Sequence, residues 1–135
     1  MNENQKKVDI SYFYISKEHN KVLSALIDKG VLGTKEDGIK LGVALGLAFN
    51  PGGSLDAKQQ SQLSRSSEGL NYNSADFDED QLITSAISIF TNDFTKKNYR
   101  KMMELSYLGL DLLKTKYFNE DSNIIEWGMI QKDLS

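Results

Sequence analysis

The sequence lacks cysteine and is poor in histidine, proline and arginine. Without cysteine the chain cannot form a disulfide framework, a thiolate metal site or a cysteine nucleophile. The single histidine, His19, excludes a metal site that needs several imidazoles from one chain. Only Arg65 and Arg100 supply the guanidinium fork that best suits phosphates and guanine edges, which argues against extensive base reading.

Long hydrophobic runs are also absent. The longest apolar stretch, 39–49, is shorter than the ~20 residues of a membrane-spanning helix. The N-terminal residues MNENQKKVDI are polar and lack the apolar segment of a signal peptide. We therefore expect a cytoplasmic protein with no membrane contact. The net charge of −3 argues against a protein that coats nucleic acid by charge alone.

The length and composition predict one compact, soluble domain. The 135 residues are 39% hydrophobic and 26% charged, which suffices for a core without disulfides or a metal. We expect a strand-helix-helix unit over 1–50 and a flexible, polar and acidic loop over 51–77. A C-terminal helical hairpin with a docked tail should follow over 78–135. The predicted fold is therefore mainly α, with one short N-terminal strand and about four helices.

The boundaries of these elements follow from periodicity and capping residues. Residues 8–15 (VDISYFYI) alternate like a strand, and Ser16 and Thr34 are placed to cap the two helices that follow. A third helix is expected over 79–91 and a fourth over 93–117. The apolar segment NIIEWGMI near the end should dock onto the body of the protein.

Three glycines lie four residues apart in the second predicted helix, at positions 38, 42 and 46. Each costs ~1 kcal/mol relative to alanine, so we expect this stripe to face a close helix crossing, either within the chain or in a dimer. The predicted strand also needs a partner, which a second copy of the chain could supply. The expected homodimer interface consists of Val8, Ile10, Tyr12, Tyr14, Gly42 and Gly46.

Two patterns suggest metal binding or catalysis, but structural roles explain both of them better. Asp76, Asp78 and Asp80 are spaced as in a calcium-binding loop, yet Gln81 and Ile87 stand where that loop needs glycine and glutamate. An acidic helix N-terminus explains these aspartates better. His19 lies at a predicted helix start, where an exposed or capping role is expected. We predict no metal, no cofactor and no catalytic residue.

One basic cluster could bind nucleic acid or a protein partner. It comprises Lys96, Lys97, Tyr99, Arg100 and Lys101. Helical spacing gathers most of these side chains on adjacent faces, where they could grip phosphates while Tyr99 stacks or donates a hydrogen bond. A solvated helix face would have the same composition, so the pattern leaves both interpretations open.

The order strand, helix, helix over 8–50 resembles a ribbon-helix-helix unit, and the run TKEDGI at 34–39 fits the start of its second helix. The resemblance implies a strand in the major groove and a phosphate held near Thr34 and Lys35. Two features depart from it. One strand face presents Phe13 and Ile15 instead of polar residues that read bases, and Glu36 and Asp37 would repel a phosphate.

A more extensive resemblance covers about residues 10–118. The runs YISKEHNKVLSALIDKGVLGTKEDGIKLGVALG and ELSYLGLDLL are similar to small proteins associated with the bacterial Dnd DNA-phosphorothioation system. The resemblance implies that the gene lies near DNA-modification and phage-defence genes. It implies no known reaction for the protein. We therefore expect a non-enzymatic accessory or adaptor protein that binds a protein partner from such a system, with DNA as a further candidate. The alternative is a transcriptional regulator of the ribbon-helix-helix type.

Overall fold

The computed structural model describes residues 9–63, 69–95 and 97–135. Helices dominate the fold, as predicted, and the short strands form two small antiparallel sheets where only one N-terminal strand was expected. The strands are β1 (Tyr12–Ile15), β2 (Leu70–Asn73), β3 (Phe118–Asn119) and β4 (Ile124–Ile125). The α-helices are α1 (Lys17–Asp28), α2 (Lys35–Phe49), α3 (Ala57–Ser61), α4 (Ser74–Phe77), α5 (Leu82–Thr91), α6 (Tyr99–Leu112) and α7 (Trp127–Leu134). A π-helical turn, Leu113–Tyr117, extends α6.

The first half begins and ends its helices as the sequence predicts. The Ser16 hydroxyl accepts a hydrogen bond from the backbone N–H of His19 at 3.1 Å, and the Thr34 hydroxyl accepts one from that of Asp37 at 3.1 Å. Both hydroxyls therefore satisfy N–H groups that a helix start leaves without an internal partner. Gly30 follows α1 with a φ of 73°, which favours glycine and ends that helix.

The centre of the fold is a close crossing of α2 and α6. A Cβ added to Gly42 would lie 2.8 Å from Leu110 Cγ, and one added to Gly46 would overlap the Leu105 carbonyl oxygen. The predicted close helix crossing is therefore confirmed, and it lies within the chain. The prediction that Gly42 and Gly46 form a dimer interface is wrong, because α6 of the same chain covers both.

Strand β1 finds its partner within the chain. It pairs antiparallel with β2, so that Phe13 lies opposite Tyr72. Phe13 and Ile15 point into the core, and Tyr12 points outward. This pairing removes the argument for a dimer through Ile10, Tyr12 and Tyr14; Val8 lies outside the described residues.

The range 51–77, predicted as a flexible loop, contains α3, β2 and α4, so that prediction is wrong for the described part of the range. Local side chains explain the order. Asp56 and Gln59 form a capping box at the start of α3, in which each side chain accepts a hydrogen bond from the other residue's backbone N–H. Asn73 caps α4 in a similar way.

The C-terminal half contains the two predicted longer helices, but both start later than expected. Gln81 and Asn98 each precede a helix with a φ near 60°, which breaks the helical path before α5 and α6. The tail docks as predicted, since Ile125 and Ile130 are buried. The Tyr117 hydroxyl donates a hydrogen bond to Asp133 at 2.7 Å and holds α7 in place. Within the described ranges, we find no helix with the length and apolarity needed to cross a bilayer.

Candidate functional site

Helix α5 exposes three of its large apolar side chains to solvent and buries two polar ones against the core. Leu82, Ile89 and Phe90 are 69%, 67% and 64% exposed, while Thr84 and Ser88 are buried on the opposite side together with Ile87. A surface helix of a globular protein normally shows the reverse arrangement. Helix α7 also exposes large apolar side chains, Trp127, Met129 and Leu134, but its polar side chains are exposed as well. The burial of polar side chains opposite exposed apolar ones therefore distinguishes α5 from α7.

A buried carboxylate fixes the start of α5. Asp78, only 1% exposed, accepts hydrogen bonds from the backbone N–H groups of Ile83 and Thr84, both at 3.0 Å. It also accepts one from the Thr84 hydroxyl at 2.7 Å. Asp78 thus neutralises the positive end of the helix dipole and holds Thr84 on the inward side.

Polar contacts also fix the other end of α5. The buried Asn98 side chain donates hydrogen bonds to the Ser88 hydroxyl at 2.9 Å and to the Asp93 carbonyl at 3.1 Å. Rotating the helix to bury its apolar side would leave the buried side chains of Asp78 and Asn98 without these hydrogen-bond partners, at a cost of about 1–3 kcal/mol each. The outward direction of the apolar side chains is therefore built into the fold.

The outward surface of α5 is continuous. At 100° per residue, the exposed Leu82, Ile89 and Phe90 and the half-buried Ala86 between them fall within an arc of about 100°. We refer to these four residues as the α5 face. Its exposed apolar area is on the order of 400 Å², which matches the largest apolar patch of a typical monomeric protein, and such patches are often functional. Phe94, just after the helix, is 68% exposed. The helix itself carries no charged residue.

The three regularly spaced aspartates serve the helices. Asp78 caps α5, Asp80 accepts a hydrogen bond from the Leu82 N–H at 3.3 Å, and Asp76 lies exposed in α4. The predicted acidic helix N-terminus therefore holds for Asp78 and Asp80 at the start of α5, whereas Asp76 belongs to the first turn of α4. Across the described ranges, no three histidine or acidic side chains come together in a way that could hold a metal ion.

The predicted basic cluster is only partly available for binding. Lys97 and Arg100 are exposed, but Lys101 donates a hydrogen bond to the Gly53 carbonyl at 2.7 Å and lies 3.3 Å from the Glu104 carboxylate. The N-terminus of α6 is already occupied, because the backbone N–H groups of Tyr99 and Arg100 donate to the Asp9 carboxylate. Lys96 lies outside the described residues.

Thr34 and Lys35, predicted to contact a phosphate, are engaged within the chain. The Thr34 hydroxyl caps α2, and the Lys35 ammonium donates a hydrogen bond to the Asn20 side chain at 2.9 Å. Both contacts occupy the groups that a phosphate would need. Among the described residues, no hydrogen bond or ion pair joins Thr34 or Lys35 to the basic cluster, and each has a local structural role.

His19 is predicted to be exposed or to take part in the helix cap; it is buried, so the exposed position is wrong, although its backbone N–H does bond the capping Ser16. The side chain is 2% exposed, its Nε2 lies 3.3 Å from Asp111 Oδ1, and its ring packs edge-on against Tyr107 at 4.5 Å. Nδ1 is buried and has no hydrogen-bond partner among the described residues. His19 is in phase with Leu23 and Leu26, the other buried residues of α1, and this spacing is the signal that could have predicted its burial.

Burial of His19 should make the stability of the fold depend on pH. Desolvation lowers the pKa of His19 below the ordinary 6.5, and Lys114 adds to the effect, while Asp111 and Glu18 oppose it. Because the native state then binds a proton less readily than the unfolded chain, the neutral imidazole contributes stability above pH 6.5 that is lost as the pH falls through the native pKa.

We predict that the free energy of unfolding in urea falls between pH 7.5 and 5.5, and that His19→Gln reduces this fall. Asp133 has a lowered pKa because Tyr117 and Lys116 bind it, and it titrates below this window. An equal pH dependence in wild type and His19→Gln would contradict the assignment.

Comparisons with family models, curated proteins and solved structures found no match for this chain. The resemblances described above therefore stay predictions. The case for a function rests on the geometry of the α5 face.

Proposed function

We propose that this protein is a non-enzymatic adaptor that binds another protein chain through the α5 face. The observation that carries the proposal is the inverted amphipathicity of α5, with Leu82, Ile89 and Phe90 exposed and Thr84 and Ser88 buried. An exposed apolar patch costs solubility, so such patches typically mark sites of protein interaction. The hydrogen bonds of Asp78 and Asn98 hold this patch outward.

The cellular setting in this proposal comes from the sequence resemblance. The resemblance suggests proteins of a DNA-modification or phage-defence system as neighbours, and the cytoplasmic location is our expectation from the sequence. DNA binding is not part of the proposal, because the strand face that would enter the major groove carries Phe13 and Ile15 in the core. The regulator alternative depends on that face and on Thr34 and Lys35, which make local contacts.

Site-specific photo-cross-linking in the cells that carry the protein tests the proposal. A photoreactive phenylalanine analogue at position 90 should give a discrete protein adduct, and the same analogue at Lys58, exposed on α3, should not. Adding Leu82→Ser should abolish the adduct, because it removes an apolar contact four residues away on the same face. Equal adducts at 58 and 90, or none at 90, would overturn the proposal.

A further inference from the structure

We infer that the occupant of the α5 face is a second copy of this chain, with two α5 helices packed antiparallel about a two-fold axis at Ala86. This inference rests on the proposed function, since it names the partner of the same surface. It moves the predicted homodimer interface from residues 8–15 and the α2 glycines to α5.

The charge distribution permits this pairing. Helix α5 carries no charged residue, so its face can lie against an identical face without placing like charges opposite each other. Glu79 and Asp80 are exposed just before the helix. An antiparallel arrangement places these acidic pairs at opposite ends of the interface, whereas a parallel one would bring all four carboxylates together. The antiparallel arrangement is therefore the one that the charges favour.

The shape of the face is self-complementary in the same arrangement. Ala86 stands midway between Leu82 and Phe90, four residues from each, so a two-fold axis there sets each Leu82 against Phe90 of the other copy. A small residue at the closest point lets two helices approach to the 8–10 Å typical of packed pairs. The larger side chains on both sides then fill the space where the crossing helices diverge.

The area also fits a symmetric pair. A stable interface of standard size buries about 800 Å² on each partner, and roughly 60% of that area is apolar. The α5 face offers on the order of 400 Å² of apolar surface. Phe94, beyond the helix end, adds a further apolar side chain that is two-thirds exposed. Each copy can therefore supply most of the apolar area that an interface of standard size buries on one partner.

Because the chain contains no cysteine, an introduced cysteine can form a disulfide only with the same residue of another copy. Under mild oxidation, Ala86→Cys should form a disulfide-linked species of twice the 15.2 kDa chain mass, because the two thiols meet on the axis. Lys58→Cys, on exposed α3, is the matched control and should stay at the mass of one chain. Oxidation of both variants to the same extent, or of neither, would overturn the inference.

Sedimentation equilibrium of the purified full chain provides the second measurement. Wild type should show the mass of two chains at micromolar concentration, and Phe90→Asp should raise the dissociation constant about 30-fold or more. A wild-type mass of one chain, or a dimer that Phe90→Asp leaves intact, would overturn the inference. If the chain is monomeric and the cross-link at position 90 captures a different protein, the proposed function stands and this inference fails.

Discussion

Replacing Gly109 with alanine is expected to lower the free energy of unfolding by about 3 kcal/mol or more. A Cβ added to Gly109 would overlap the backbone carbonyl of Gly42, at the point where α2 and α6 are closest. The neighbouring atoms are backbone, so no side chain can rotate away, and the two helices would have to separate. Because this crossing forms the centre of the core, the loss should appear as a lower urea midpoint with an unchanged slope.

Gly128 offers a matched control, since it also lies within a helix. Nothing lies within 4 Å of a Cβ added there, so Gly128→Ala should stabilise α7 by up to ~1 kcal/mol through helix propensity alone. Both variants add one methyl group, but the expected changes in the free energy of unfolding have opposite signs. A Gly109→Ala protein as stable as Gly128→Ala would mean that α2 and α6 do not approach as described.

Replacing Asp78 with alanine is expected to cost about 3 kcal/mol. The change leaves the N–H groups of Ile83 and Thr84 and the Thr84 hydroxyl buried without their acceptor. It also removes the negative charge at the positive end of the α5 dipole. The first turn of α5 should then fray, which hydrogen exchange of its amides and urea unfolding can both detect.

Asp76→Ala is the control for this prediction, because Asp76 belongs to the same run of aspartates but is exposed. A surface change of this kind should shift the free energy of unfolding by less than about 0.5 kcal/mol. Similar losses in both variants would indicate that the carboxylates act through their summed charge. The assignment of Asp78 as the cap of α5 would then be wrong.

Sequence reasoning succeeded where one residue decides a local structure. Ser16 and Thr34 cap helices because a short hydroxyl side chain before a helix can reach the free N–H groups of its first turn. The Gly42 and Gly46 stripe predicted a close crossing because only glycine lets two backbones approach so closely. The glycine stripe did not specify which helix packs against it, and α6 of the same chain is that helix.

The direction of α5 could not be predicted from its sequence pattern. Leu82, Ile89 and Phe90 lie on one side of the helix, and hydrophobicity alone would bury that side. The opposite side carries Thr84, Ser88 and Thr91 together with Ile87, and this side is the one that packs inward. The outcome depends on Asp78 and Asn98, which lie outside the helix and satisfy the polar stripe in the core. Strand β2 was missed for a related reason, since the four residues LNYN carry too little alternation to stand out in a polar segment.

The most direct test of the α5 orientation compares two isoleucines in the same helix. Ile87 is fully buried and Ile89 is 67% exposed, two positions further along. In dilute protein, Ile87→Ala should lower the free energy of unfolding by about 2–5 kcal/mol, and Ile89→Ala by no more than about 0.5 kcal/mol. An Ile89→Ala loss equal to or larger than that of Ile87→Ala would show that the apolar face is packed inside the molecule, and would contradict its role as a binding surface.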